Sequence, residues 1–384
     1  MKPLDRTRML TAVHFTQAGR LTEATALLQR MLAGAPDPIA PASNPPAKKL
    51  VPSIVRANIL SGSSLGPGAT IAVPQVLDWK AKLPGGQGQV VRPTDVAPSI
   101  GRYLVGSFSN AAGSRSYKLY IPSRRDDQPR PLIVMLHGCT QSADDFAAGT
   151  RMNFAAEKHN CFVVYPEQPQ SANASKCWNW FRAGDQMRDR GEPSMIAGMT
   201  QQIMNDHSVD PLRIYVAGLS AGGAAAAIMG ETYPELYSAV GVHSGLACHS
   251  ARDFPSAFSA MRGDATLGSG DESRTGRPMP TIVFHGDKDS TVHPSNGAKV
   301  IRRAVGDAKF TDSTTQKTAE SGHRYSQTVK YDAAGRSIFE LWELHGAGHA
   351  WSGGSVAGSF TSPNGPDATE EMLRFFLDHP RCTS

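Results

Sequence analysis

From Gly101 onward, short apolar runs alternate with stretches whose apolar residues recur at helical spacing. Residues 103–109 and 116–121 predict an antiparallel pair of strands. Residues 132–136 (LIVML) and 161–165 (CFVVY) are continuously apolar, as strands covered on both faces must be. Residues 212–217, 238–243, 281–285 and 338–344 predict further strands. Helical periodicity marks 195–207, 296–303 and 367–377, the last with Met372, Phe375 and Phe376 on one face. Strands alternating with helices predict an α/β fold with a mainly parallel central sheet and helices on both faces. There is no internal repeat.

The chain upstream has a different texture. Leu21, Ala24, Leu27, Leu28 and Leu32 recur at helical spacing and Gly34 ends the run, so residues 1–34 are expected to form an N-terminal helical segment. Residues 35–100 read as a Pro/Gly-rich linker and loop region with at most one short strand. Residues 101–384 are expected to form the main domain. A leucine stripe is more often packing than docking surface, so the N-terminal helices are read as a packed appendage or a homodimer contact.

The most informative motif is Gly218-Leu219-Ser220-Ala221-Gly222. An apolar run precedes it and a small-residue run follows, which reads as strand, sharp turn, helix. A serine on such a turn projects its hydroxyl from the backbone beside the amides of a helix N-terminus. Gly62-Ser63-Ser64-Leu65-Gly66 fits the same pattern, but Pro67 follows and no helix does, so Ser64 is rejected. Ser220 is read as the nucleophile on the elbow of an α/β-hydrolase, which makes 101–384 its catalytic domain.

A serine nucleophile needs a base, an acid that orients the base, and donors for the oxyanion, with acid and base following in that chain order in this fold. The 281–285 strand leads into Gly286-Asp287-Lys288-Asp289, and Asp289 is preferred as the acid, with Asp287 the alternative. The 338–344 strand leads into His345-Gly346-Ala347-Gly348-His349, where His349 is preferred as the base over His345. The expected oxyanion donors are the Ala221 amide and, on His137-Gly138-Cys139-Thr140-Gln141, the Cys139 amide. Cys139 as a catalytic thiol is the weaker reading, since it has no elbow of its own.

Bulk properties narrow the alternatives. Lys and Arg number 39 against 34 Asp and Glu, a formal charge of +5, and the basic residues cluster only as pairs. Such a surface offers no dedicated nucleic-acid face. No apolar stretch is long enough to span a bilayer, and the N-terminus lacks a secretory apolar core. A cytoplasmic location is therefore expected, with secretion the alternative. Five cysteines, none at C-x-x-C spacing, argue against a disulfide scaffold, a zinc site or a redox site. Cys139 and Cys177, both near the proposed site, are the first candidates for a bridge.

The segments HGCTQ (137–141), VYPEQ (164–168), CWNWF (177–181), GLSAG (218–222), HGDKDSTVHPSN (285–296) and GHAW (348–351) occur in one order. Together they resemble the catalytic domain of short-chain poly(3-hydroxybutyrate), or polyhydroxyalkanoate, depolymerases and the related feruloyl and acetylxylan esterases. The resemblance covers roughly residues 100–380. It implies Ser220, Asp289 and His349 as the triad, the Cys139 amide in the oxyanion hole, and carboxylic ester hydrolysis through an acyl-enzyme with no metal or organic cofactor. Short-chain hydroxyalkanoate oligomers or polyester are the implied substrates; plant-derived feruloyl or acetyl esters, acyl transfer, and a non-catalytic granule-binding role are the alternatives. Trp178, Asn179, Trp180 and Trp351 either line a substrate groove or pack the core.

Overall fold

The computed structural model describes residues 91–124, 128–264 and 278–381. The expected helices of 1–34, most of the 35–100 region and the rejected Ser64 lie outside them. Residues Pro93–Val96 form one helical turn (α1) where a loop was expected; Val96 is buried, and its carbonyl accepts from Asn153 Nδ2 at 2.9 Å.

A ten-stranded sheet forms the frame, in the order β1-β2-β4-β3-β5-β6-β7-β10-β9-β8. Its strands are β1 (Arg102–Asn110), β2 (Gly113–Ile121), β3 (Arg130–Leu136), β4 (Phe162–Pro166), β5 (Val209–Leu219), β6 (Ala239–His243), β7 (Thr281–Gly286), β8 (Thr311–Thr318), β9 (Arg324–Tyr331) and β10 (Ser337–Leu344). From β4 to β10 the neighbours run parallel; β1, β2, β8 and β9 pair antiparallel at the two flanks. The β8–β9 extension escapes the sequence reading because β8 (TDSTTQKT) is polar and exposed throughout.

The helices are α2 (Ala143–Thr150), α3 (Met152–His159), α4 (Gly191–Asp206), α5 (Ala221–Thr232), α6 (Phe254–Met261), α7 (Ser295–Val305) and α8 (Ala368–Leu377). Alternate residues of the apolar strands serve two cores. Leu132, Val134, Leu136 and Val216 meet Ile196 and Met199 of α4, Ala224 and Ile228 of α5 and Val300 of α7. Ile133, Met135, Tyr215 and Phe284 meet Phe146 of α2, Met152 of α3 and Met372, Phe375 and Phe376 of α8. The sheet is covered on both sides, as its unbroken apolar runs require. The carboxyl ends of β3, β5, β6, β7 and β10 lie along one edge, where loops are free to vary and to carry chemistry.

Candidate active site

Ser220 sits between β5 and α5 with φ 58° and ψ −120°. The left-handed region is disfavoured for a side chain with a Cβ, and such a residue typically stores about 1–3 kcal/mol of strain. The turn closes only because its neighbours are glycines: a Cβ on Gly222 would lie 2.0 Å from the Leu136 carbonyl oxygen. The Ser220 side chain does not cap α5, and the residue is half-buried. Its amide donates to the His243 carbonyl at 2.9 Å.

Asp289 and His349 meet on loops leaving β7 and β10. Asp289 Oδ2 lies 2.7 Å from His349 Nδ1, and Oδ1 accepts the amides of Thr291 at 2.9 Å and Val292 at 2.8 Å. His285 Nε2 lies 3.4 Å from Oδ2. Burial opposes the Asp289 charge, but the hydrogen bonds from His285 and His349, with the charge of His349 and the Val292 amide, outweigh it and hold the carboxyl well below the ordinary range. A carboxylate so held keeps the proton of His349 on Nδ1 and leaves Nε2 as the basic nitrogen. The alternatives, Asp287 and His345, pair with each other on the exposed side of the same loops, 3.3 Å apart.

The loop after β3 lies against the elbow. A Cβ on Gly138 would sit 3.6 Å from Ser220 Cβ. Within this loop Gly138 N donates to Gln141 Oε1, Thr140 N to the Ser175 carbonyl and Gln141 N to the Gly138 carbonyl. The amides of Cys139 and Ala221 are bonded to no group among the described residues. Free amides beside a serine hydroxyl are what a developing oxyanion needs.

Three devices hold this loop, the last two of them missed by sequence reasoning. A disulfide joins Cys139 to Cys177, as the sequence suggested, so Cys139 has no thiol to react. Buried Gln141 bridges Gly138 N and the Ser359 carbonyl. His137, whose ring burial pushes down to about 4, spans the Gly138 carbonyl at 2.7 Å and the Gln168 amide at 3.1 Å. Gln168 in turn bonds the Cys177 carbonyl and Glu192, a carboxyl that burial and nearby Asp185 push up to about 7. Buried polar residues after strand ends were the available signal; their partners, far away in sequence, were not.

The expected groove residues are placed otherwise. Trp178 and Trp351 are fully buried, and Trp351 Nε1 donates to Thr369 Oγ1 at 3.0 Å. Asn179 is buried, with its amide and side chain both donating to Glu192, at 2.7 and 2.6 Å. Trp180 is 6% exposed and packs edge-on to Phe181. These four are packing residues, because burying the rings and satisfying Asn179 leaves little surface to offer a substrate. Exposed aromatic surface is found instead at Phe254 and Phe258, which continue from Phe181 in edge-to-face contacts of 5.8 and 4.9 Å and stand 43% and 40% exposed.

Among the described residues, Glu231, Cys248 and His249 bring potential metal-ligand atoms within 4.8 Å of one another. Arg303 already takes both Glu231 oxygens, at 2.6 and 3.0 Å, so the carboxylate is neutralised by a guanidinium fork. Among the described residues no helix is long and apolar enough to cross a membrane.

The family profile described as Esterase PHB depolymerase matches residues 115–328, more than half of the chain. A poly(3-hydroxyalkanoate) depolymerase C from Paucimonas lemoignei is 32% identical over 258 residues, covering 64% of this chain and 60% of the relative. A feruloyl esterase B from Thermothelomyces thermophilus is 28% identical over 200 residues, covering 48% of this chain and 67% of that protein. An acetyl xylan esterase structure from Aspergillus awamori superposes with a TM-score of 0.58 at 17% identity, covering 72% of this chain and 99% of its own. That last likeness establishes the fold, an α/β-hydrolase.

Proposed function

The chain belongs to the esterase PHB depolymerase family, and from that premise we propose that it is a serine esterase that hydrolyses carboxylic esters through an acyl-enzyme. Ser220 Oγ bonds to the ester carbonyl carbon as His349 Nε2 takes its proton. The Cys139 and Ala221 amides hold the oxyanion. When the intermediate collapses, the carbon–alkoxy bond breaks and His349 returns the proton to the leaving alcohol. Water, deprotonated by the same ring, then attacks the acyl-enzyme and frees the acid and Ser220. Asp289 stabilises the imidazolium at both stages.

The observation that carries this reading is the 2.7 Å bond between Asp289 and His349, on the same sheet edge as a serine in an elbow conformation. Hydrolysis of p-nitrophenyl butyrate and labelling by a fluorophosphonate test it. Ser220→Ala is expected to abolish both with the thermal melt unchanged, and full activity in that variant would end the reading.

Short-chain hydroxyalkanoate oligomers or polyester are the proposed substrates, because the exposed Phe254 and Phe258 offer an apolar face to an apolar chain. Plant-derived feruloyl or acetyl esters are the second reading, favoured by the feruloyl esterase relative. A panel of 3-hydroxybutyrate oligomers, amorphous polymer, methyl ferulate and acetylated xylan separates them. The Cys139–Cys177 disulfide favours an oxidising compartment over the cytoplasm as the place of action.

A further inference from the structure

We propose that His243 is a positioning residue that fastens the loop carrying His349 to the strand end carrying Ser220; the inference rests on the esterase reading above. In the sheet, β6 and β7 lie between the strands that deliver nucleophile and base, so no ladder bond joins β5 to β10. His243, the last residue of β6, touches the supports of both. Its carbonyl accepts the Ser220 amide at 2.9 Å. Its ring Nε2 accepts the amide of Ser352, three residues beyond His349, at 3.0 Å. The rings of Trp351 and Phe284 stack on it at 5.2 and 5.8 Å and fix its plane.

The chemistry of the ring fits a strut. Accepting an amide N–H requires Nε2 to be bare, which puts the proton on Nδ1, 3.2 Å from Ser244 Oγ. Burial, reinforced by His285 and His349 and opposed by Asp289, pushes this ring down to about 3. It therefore stays neutral where an imidazole base works and takes up no proton there. Its contribution is geometric, and small displacements of a catalytic base are expensive: about 1 Å can lower turnover on the order of a hundredfold.

Three substitutions separate acceptor, volume and reach. His243→Leu keeps bulk and removes the acceptor. His243→Gln places Oε1 near the position of Nε2. His243→Asn is shorter, with its oxygen reaching only toward the place of Nδ1. We expect His243→Leu and His243→Asn to lower kcat on p-nitrophenyl butyrate roughly 100-fold with KM within about threefold, and His243→Gln to recover most of the loss. In parallel, the far-downfield proton NMR signal of His349 Nδ1–H bonded to Asp289 is expected in the native protein and the Gln variant, and to broaden away in the Leu variant. A folded Leu variant with native kcat and an intact signal would overturn the proposal. Failure of all three variants to fold would also overturn it, because His243 would then determine the fold and not the alignment. Should the native protein hydrolyse no ester while the signal follows this pattern, the esterase reading fails and the strut stands.

Discussion

His345 Nδ1 lies 3.3 Å from Asp287 Oδ2, so the two residues that compete in the sequence for the base and acid roles are bound to each other. The Asp287 carboxylate also accepts the Gly346 amide at 2.7 Å, and His345 Nε2 lies 2.8 Å from Ser326 Oγ. This outer pair braces the turn that presents His349. Asp289→Asn is expected to lower kcat by roughly 10⁴-fold, because an amide in place of the carboxylate selects the wrong imidazole tautomer. Asp287→Asn is expected to keep most of the activity. Steady-state kinetics of both variants decide, and equal losses would refute the assignment of the acid.

The disulfide ties the loop that offers the Cys139 amide to the segment that carries Trp178. Reduction leaves the amide in place but unties the loop, which the Thr140–Ser175 bond at 2.7 Å still restrains. We expect about a tenfold fall in kcat on reduction, less than the 10²–10³ typical of losing an oxyanion donor outright. Cys139→Ser, Cys177→Ser and the double variant should fall together, since each removes the same link. A Cys139 variant much worse than its Cys177 counterpart would point to a separate role for that sulfur.

Phe254 and Phe258 lie on α6, at the outer end of the aromatic series that begins with Trp180. Exposed phenyl rings gain when an apolar surface covers them. A soluble butyrate ester is small and needs no such extended apolar face to bind. Phe254→Ser with Phe258→Ser is thus expected to slow hydrolysis of amorphous polyester several-fold and leave p-nitrophenyl butyrate turnover near native. Equal effects on both substrates would remove these rings from any role in polymer contact.

The parallel strands were legible in the sequence because burial on both faces demands unbroken apolar runs, and 132–136 and 161–165 supply them. Ser220 was legible because its turn needs glycines at fixed places, and the Gly222 contact with Leu136 shows why. The choice between Asp287 and Asp289 needed coordinates: both follow one strand, and only the inner carboxylate turns toward His349. The aromatic block stayed open in the sequence because Trp178 and Trp351 are apolar enough for either fate, and their surroundings come from segments remote in sequence. His243 left no motif at all. Its role exists only where β6 stands between its neighbours.

Buried ionisable groups fix how stability changes with pH. Burial lowers His137 from 6.5 to about 4 and His243 from 6.5 to about 3. As pH falls below 6.5 the unfolded chain takes up protons that these rings refuse, so stability drops toward about pH 4. Lowered His207 acts in the same sense. Glu192 is opposed: raised from 4.5 to about 7, it stays protonated in the folded chain where the unfolded chain has ionised, so its stabilisation is lost as pH rises through that range. Asp185 and Asp367, raised by burial from 3.8, side with it. Near pH 5.5 to 6.5 the two histidines outweigh Glu192 and stability rises with pH; close to pH 7 the contributions balance and the curve levels off. Thermal melting between pH 4 and 8 is expected to give a Tm maximum near pH 7, with a shallower acid limb in His243→Gln, which removes one of the rings. A Tm that stays level or falls from pH 5.5 to 6.5 would show that these imidazoles are not held neutral in the folded chain.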